Sequence, residues 1–259
     1  MKRSTIVLLI ALVMFLCGVG LTVYGAVAQK DAVGTAVTDE LSVGEINNID
    51  IDVLASSVEI KPSSDGKIHL SYENAVFCRY THTVKDGELK IECKDVIPHV
   101  SFGVTTSSKV VLLIPDGMKA NIEAELDAGI FTLEDLALSG KIDVESDAGN
   151  VTFKNANAEG VCAKTDVGSV KINNCKFASF DAETDVGSID IDSLDCRVTS
   201  LSSDVGSIKG KLCGKLEDYT VSCRKDMGSC NVSDRVGGDK ILKVSTSVGS
   251  INITFTESE

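Results

Sequence analysis

Tryptophan is missing from this 259-residue sequence, and four Tyr with eight Phe bring the aromatic content to only 5%. The 43% hydrophobic content therefore rests on Val, Ile, Leu and Ala, and that much apolar residue argues against disorder. A basic excess is missing too. Lys plus Arg number 25 against 38 acidic residues, for a net charge of −13. An anionic surface repels phosphate backbones, so a nucleic-acid partner is disfavoured. Histidine is scarce: His69, His82 and His99 are the three present, and no Ser-His-Asp pattern stands out. The nine Cys are an odd number, with one in an apolar segment and no CxxC among the rest.

What is there begins at the N-terminus. Lys2 and Arg3 precede an uncharged apolar stretch from Ile6 to Ala28, whose 23 residues exceed the ~20 needed to span a hydrocarbon core. The positive flank stays in the cytoplasm, which exports the remainder. Two readings fit. Residues 1–28 form a cytoplasmic tail and a signal anchor in a cell membrane, or a signal peptide cleaved near Ala28 after the small residues Ala26-Val27-Ala28. Length favours the anchor, because a cleaved apolar region normally runs about 7–15 residues. Residues 29–46 carry no strong pattern and read as a linker.

A repeat organises the second half. Asp127-Ala-Gly-Ile, Asp147-Ala-Gly-Asn, Asp166-Val-Gly-Ser, Asp185-Val-Gly-Ser, Asp204-Val-Gly-Ser, Asp226-Met-Gly-Ser and Ser247-Val-Gly-Ser follow one another at spacings of 20, 19, 19, 19, 22 and 21. With the Asp as position zero, apolar columns fall at −3, +1, +4 and +6, while +5 is polar (Thr132, Thr152, Lys171, Asp190, Lys209, Asn231, Asn252). Alternation with period two means short strands with one buried face. Turns stacked at ~4.8 Å align each column into an apolar ladder. Small β-branched residues suit a narrow interior, consistent with the missing Trp. The expected fold is all-β: a β-solenoid with turns of 19–22 residues over 47–256, preceded by one transmembrane or signal helix.

The regular repeats occupy 121–256. Residues 47–120 form the irregular β part: Ala55-Ser-Ser-Val58-Glu-Ile60 has the +1, +4, +6 shape, followed by strand-like segments at Lys67–Tyr72, Cys78–Val84, Leu89–Cys93 and Lys109–Ile114. Lys85-Asp86-Gly87-Glu88 reads as a hairpin turn.

The short tail, the apolar segment, the irregular β region and the repeated (Asp/Ser)-Val-Gly-Ser-Ile-x-Ile turns together resemble the bacterial putative-adhesin family of unknown function, also called the toast-rack domain. The resemblance covers residues 47–256. It implies an envelope-facing β-solenoid, associated with adhesion by name or with envelope-stress systems by context. It implies no catalytic residues.

The repeated Asp column (Asp127, Asp147, Asp166, Asp185, Asp204, Asp226) is the most conspicuous place for chemistry. Stacked carboxylates about 5 Å apart would suit calcium, or the paired carboxylates of a retaining glycosidase. The simpler reading is turn chemistry, with Asp bonding nearby N–H groups and Gly permitting a tight corner. Ser247 replaces Asp in the last turn, the calcium-binding Gly-Gly-x-Gly-x-Asp repeat is absent, and every turn carries the same acid. Turn chemistry is therefore preferred, with a cation site as the weaker alternative. The glycines at +2 (Gly129, Gly149, Gly168, Gly187, Gly206, Gly228, Gly249) recur every turn, unlike a phosphate loop, which occurs once.

Among the cysteines, Cys223 and Cys230 stand in apolar columns at −3 and +4, and Cys175 and Cys213 both stand at +9, so all four read as core filling. Cys78 and Cys93 flank the hairpin and are the best disulfide candidate. Cys78, His82, Cys93 and His99 fit no standard zinc spacing. Asn231-Val-Ser233 and Asn252-Ile-Thr254 match glycosylation acceptors by a motif short enough to arise by accident.

The function expected is that of a non-enzymatic envelope or surface module with no cofactor, which contacts the membrane through residues 6–28 and binds an unidentified protein or surface polymer. The alternative is a polysaccharide-active β-helix enzyme using Asp185 with Asp190 and Asp192, an analogy from fold alone.

Overall fold

Along Asn121–Leu126, Ile122, Ala124 and Leu126 are buried while Asn121, Glu123 and Glu125 are exposed, the alternation of a half-buried strand. The same alternation builds nearly all of this computed structural model, which describes residues 36–42, 46–73, 78–95 and 108–256. The protein is all-β over those residues. The strands are β1 (Ala36–Leu41), β2 (Asn48–Pro62), β3 (Ile68–Glu73), β4 (Cys78–Lys85), β5 (Glu88–Asp95), β6 (Ser108–Ile114), β7 (Asn121–Glu134) and β8 (Lys141–Lys154). They continue with β9 (Asn157–Val167), β10 (Val170–Asn173), β11 (Cys175–Val186), β12 (Ile189–Val205), β13 (Ile208–Cys213), β14 (Tyr219–Cys230) and β15 (Lys240–Thr256). The helix expected over the apolar N-terminal segment lies outside the described residues. Among the described residues no helix is long and apolar enough to cross a membrane.

Successive turns pair in parallel, each residue lying beside its counterpart one repeat away. Ile122 pairs with Ile142, Val144 with Ala163, Ala163 with Ala182 and Ala182 with Leu201. The first turn is β2, where Ala55, Val58 and Ile60 pair with Ala128, Phe131 and Leu133, as the repeat shape of that segment predicts. Three successive turns have a second corner at Asp135, Asn155 and Asn174, all with positive φ, where Asn155 Nδ2 donates to Asp135 Oδ1 and Asn174 Nδ2 to Asn155 Oδ1. Asn and Asp tolerate this left-handed geometry better than other side chains.

The N-terminal end is closed by antiparallel pairing. β5 and β6 pair in parallel with different halves of β2, whereas β4 pairs antiparallel with β5 and β3 antiparallel with β6. The β4–β5 turn is Lys85-Asp86-Gly87-Glu88, with positive φ at Asp86 and Gly87, as expected for a two-residue hairpin. The segment read as a linker carries strand β1, which pairs antiparallel with β3. Its Ala36–Leu41 run was too short and mixed to declare itself.

The C-terminal end departs from sequence order. β15, not β14, stacks on β12 and β13, and β14 pairs only with β15 at the edge. A charged residue explains the exchange. Position −1 is buried Thr or Ser at 165, 184, 203 and 246, whereas β14 has Lys225 there, which is exposed at the edge. The segment 231–239 folds back on β14, with Val221 and Arg235 exchanging backbone hydrogen bonds and Asp234 accepting from the Cys223 N–H. This blunts part of an open edge.

The interior is less uniformly small than expected. Phe131, Phe153 and Phe177 stack across successive turns with centroids 5.8 and 6.0 Å apart, beside the aliphatic ladder.

Candidate functional site

The most regular feature of the surface is the corner built by Asp-Val-Gly-Ser. The ladder skips a residue there: Thr184 pairs with Ser203 and Val186 with Val205, while Asp185 and Asp204 pair with nothing between them. The same skip occurs at Asp166 and Asp185, and at Asp127 and Asp147. It ends the strand alternation one residue early. Consequently the +1 side chains, expected in the core, point to solvent: Val167, Val186, Val205, Val248 and Met227 are 45–67% exposed. They form one apolar row along the stack, in that spatial order, with the exposed carboxylates of the Asp column beside it.

Two features lock this corner. The first is close approach. A Cβ added to Gly149, Gly168, Gly187, Gly206, Gly249 or Gly228 would fall 1.6–1.8 Å from the carbonyl oxygen of the glycine in the neighbouring turn. Gly129 stands likewise over the Ser56 carbonyl at 1.9 Å. The second is a row of buried hydroxyls at −1. Thr165 donates to the Gly149 carbonyl at 3.2 Å, Thr184 to Gly168 at 3.1 Å, Ser203 to Gly187 at 3.2 Å and Thr246 to Gly206 at 3.3 Å. In the sequence that row stands as a Ser/Thr column at −1. Outside, Ser169 with Ser188, and Ser207 with Ser250, continue the polar side of the corner at 3.3 and 3.1 Å.

Charge is distributed unevenly. Several outward rows carry ion pairs: Lys61 with Glu59 and Glu134, Lys109 with Glu59, Lys164 with Glu145, and Lys211 with Asp192. Lys240 binds Asp195 at 2.8 Å and holds its carboxyl below the usual range. In contrast, Asp147, Asp166, Asp185, Asp204 and Asp226 form no ion pair among the described residues; Asp204 accepts from Ser247 Oγ at 3.5 Å. Among the described residues no three His, Cys, Asp or Glu side chains converge as metal ligands. A second acidic face lies on β2, β7 and β8, where a slight loss of hydrating water first, then Asp52, Glu123 and Glu145, push the carboxyl of the exposed Glu125 up.

The other candidates separate. Asp190 accepts from Ser188 Oγ at 2.8 Å and Asp192 pairs with Lys211, so both serve the outward ladder. Cys223 and Cys230 form a disulfide rather than filling the core, because β14 is the outermost turn and leaves both half-buried. A register shift between Ile191 and Leu194 places Leu212, not Cys213, beside Leu194, which moves Cys213 out of the +9 column. Cys175 is buried and free. Cys93 is disulfide-bonded, whereas the Cys78 side chain and His99 lie outside the described residues. Cys162 faces Asp143 and Asp181; burial, then Asp143, pushes its thiol up to about 12. An open groove of about 1010 Å³ runs past Lys176, Phe177, Asp195, Arg197 and Lys240.

The family model described as Toastrack DUF4097 matches residues 46–259. Similar solved structures include a "putative cell adhesion protein" from Clostridium sporogenes, at 13% identity and TM-score 0.42, covering 86% of this chain and 100% of that one. A "putative adhesin" from Bacteroides fragilis matches at 18% identity and TM-score 0.43, covering 85% and 97%. A "putative lipid binding protein" from Parabacteroides distasonis matches at 15% identity and TM-score 0.34, covering 87% and 98%. No curated protein matches the chain.

Proposed function

From the chain's membership of the Toastrack DUF4097 family, to which it belongs over residues 46–259, we propose a non-enzymatic, membrane-anchored β-solenoid that acts as a binding module outside a bacterial cell. Lys2, Arg3 and the apolar run from Ile6 to Ala28 supply the anchor and its orientation. The observation that carries the binding role is the row of Val167, Val186, Val205, Val248 and Met227 held out to solvent. Soluble domains rarely display contiguous apolar surface without a use for it. The glycine column beneath makes this row rigid, so little ordering is lost when it is covered. An adhesin and a component of an envelope-stress system both fall within this reading.

A photocrosslinking residue at position 186 or 205 of the full chain, activated in intact cells, tests the proposal. It should give adducts with an extracytoplasmic macromolecule, and the same residue at Thr152, on another outward row, should give far fewer. Equal yields from both rows, or turnover of a polysaccharide by the purified chain, would overturn it.

A further inference from the structure

We infer that the Asp–Val row seats a cationic amphipathic helix of a partner protein. The inference rests on the binding-module reading above and adds the class of partner. Three features of the row select it. The apolar side chains Val167, Val186, Val205, Val248 and Met227 recur once per turn, about 4.8 Å apart. A helix lying along the stack returns the same face every ~5.4 Å, so its mismatch with the rungs grows by about 0.6 Å per step and reaches only about 2.4 Å, half a rung, across the five rungs. An extended strand laid the same way repeats at ~6.8 Å and loses register within two rungs.

Charge fixes the sign of the partner. Asp147, Asp166, Asp185 and Asp204 line the apolar row and have no ion-pair partner among the described residues, while several neighbouring rows are ion-paired. Lys or Arg flanking the aliphatic line of a helix would meet these carboxylates. An anionic lipid surface or polymer would be repelled by them. A second copy of this chain would bring a second row of carboxylates to the same seam. The seat is also preformed, since the glycine contacts and the Thr165, Thr184, Ser203 and Thr246 hydroxyl bonds fix the backbone beneath it.

The test uses the full chain in nanodiscs of zwitterionic phosphatidylcholine and a labelled helical peptide with a Leu line flanked by Lys, read by fluorescence anisotropy. A twin peptide with Glu in place of Lys is the control. The Lys peptide should bind, with the Glu twin at least about tenfold weaker. Combining Asp166→Asn, Asp185→Asn and Asp204→Asn should weaken the Lys peptide about tenfold and flatten its salt dependence. Val186→Ser with Val205→Ser should weaken it by a similar factor. All five side chains are exposed, so melting curves should show that these variants keep the fold. Equal binding of the two peptides, equal binding to wild type and variants, or equal binding to empty nanodiscs would each overturn the inference. Crosslinks from position 186 without Lys-peptide binding would leave the binding module standing and remove the helix. Loss of both would remove both.

Discussion

The Cβ that Gly187 lacks would fall 1.6 Å from the carbonyl oxygen of Gly168, one turn below, and 3.0 Å from the Thr184 hydroxyl. No backbone shift confined to one turn relieves such a contact, because Gly206 stands in the same relation to Gly187. The repeat's glycine is therefore demanded by the approach of neighbouring turns.

Gly187→Ala should cost at least about 3 kcal/mol or prevent folding, since overpacking against backbone has nowhere to relax. Gly66→Ala is the contrast: Gly66 has φ +75° and open space around its missing Cβ, so only backbone strain of about 1 kcal/mol applies. Denaturant melts of the two variants check the difference.

The hydroxyl row makes opposite predictions at two equivalent positions. Thr184→Val removes the donor to the Gly168 carbonyl and should cost about 1–2 kcal/mol. Ser146 occupies the same column, but its buried hydroxyl has no hydrogen-bond partner among the described residues. Ser146→Ala should therefore be neutral or stabilise by up to about 1 kcal/mol. Thermal melts decide both.

These corners also show how much of the architecture was readable in the sequence. The 19-residue period, the first turn at Ala55–Ile60 and the Lys85–Glu88 hairpin follow from pattern and turn chemistry, and the strands lie there. The direction of the +1 column was not readable from alternation. Parity continues inward from Ala182 through Thr184 to Val186, and only the residue skipped at Asp185 turns Val186 outward. The exchange of β14 and β15 left two traces, spacings of 22 and 21 and a Lys at 225 in the hydroxyl column, but pairing between distant segments is what converts them into an order. The site was thus legible as a repeat and illegible as a surface.

The disulfide is expected to matter at the edge. Replacing Cys223 and Cys230 by Ser should cost about 2 kcal/mol, the loop-closure entropy of a short loop. Since β14 has a full strand neighbour on one side and only the short 231–239 segment on the other, hydrogen exchange should rise first in Tyr219–Cys230 and leave β9–β12 protected.

Glu125 gives a pH signature. Its folded pKa is raised, first by a slight loss of hydration against the sheet and then by Asp52, so its ionisation opposes folding and stability falls as pH rises through that pKa. Glu125→Gln should then raise the melting temperature slightly at pH 7. The gain should shrink as pH falls below the unfolded carboxylate range, near about pH 4. Melts from pH 3 to 8 check it.

Binding at the corner requires the +1 column to face solvent. The most direct measurement is thiol labelling of the purified full chain carrying Val186→Cys, quantified peptide by peptide against the native Cys175 and Cys196, both buried and free. The introduced thiol should react within minutes under native conditions, while Cys175 and Cys196 react only after denaturation. Protection at position 186 equal to that of Cys196 would place the column inside and contradict the account.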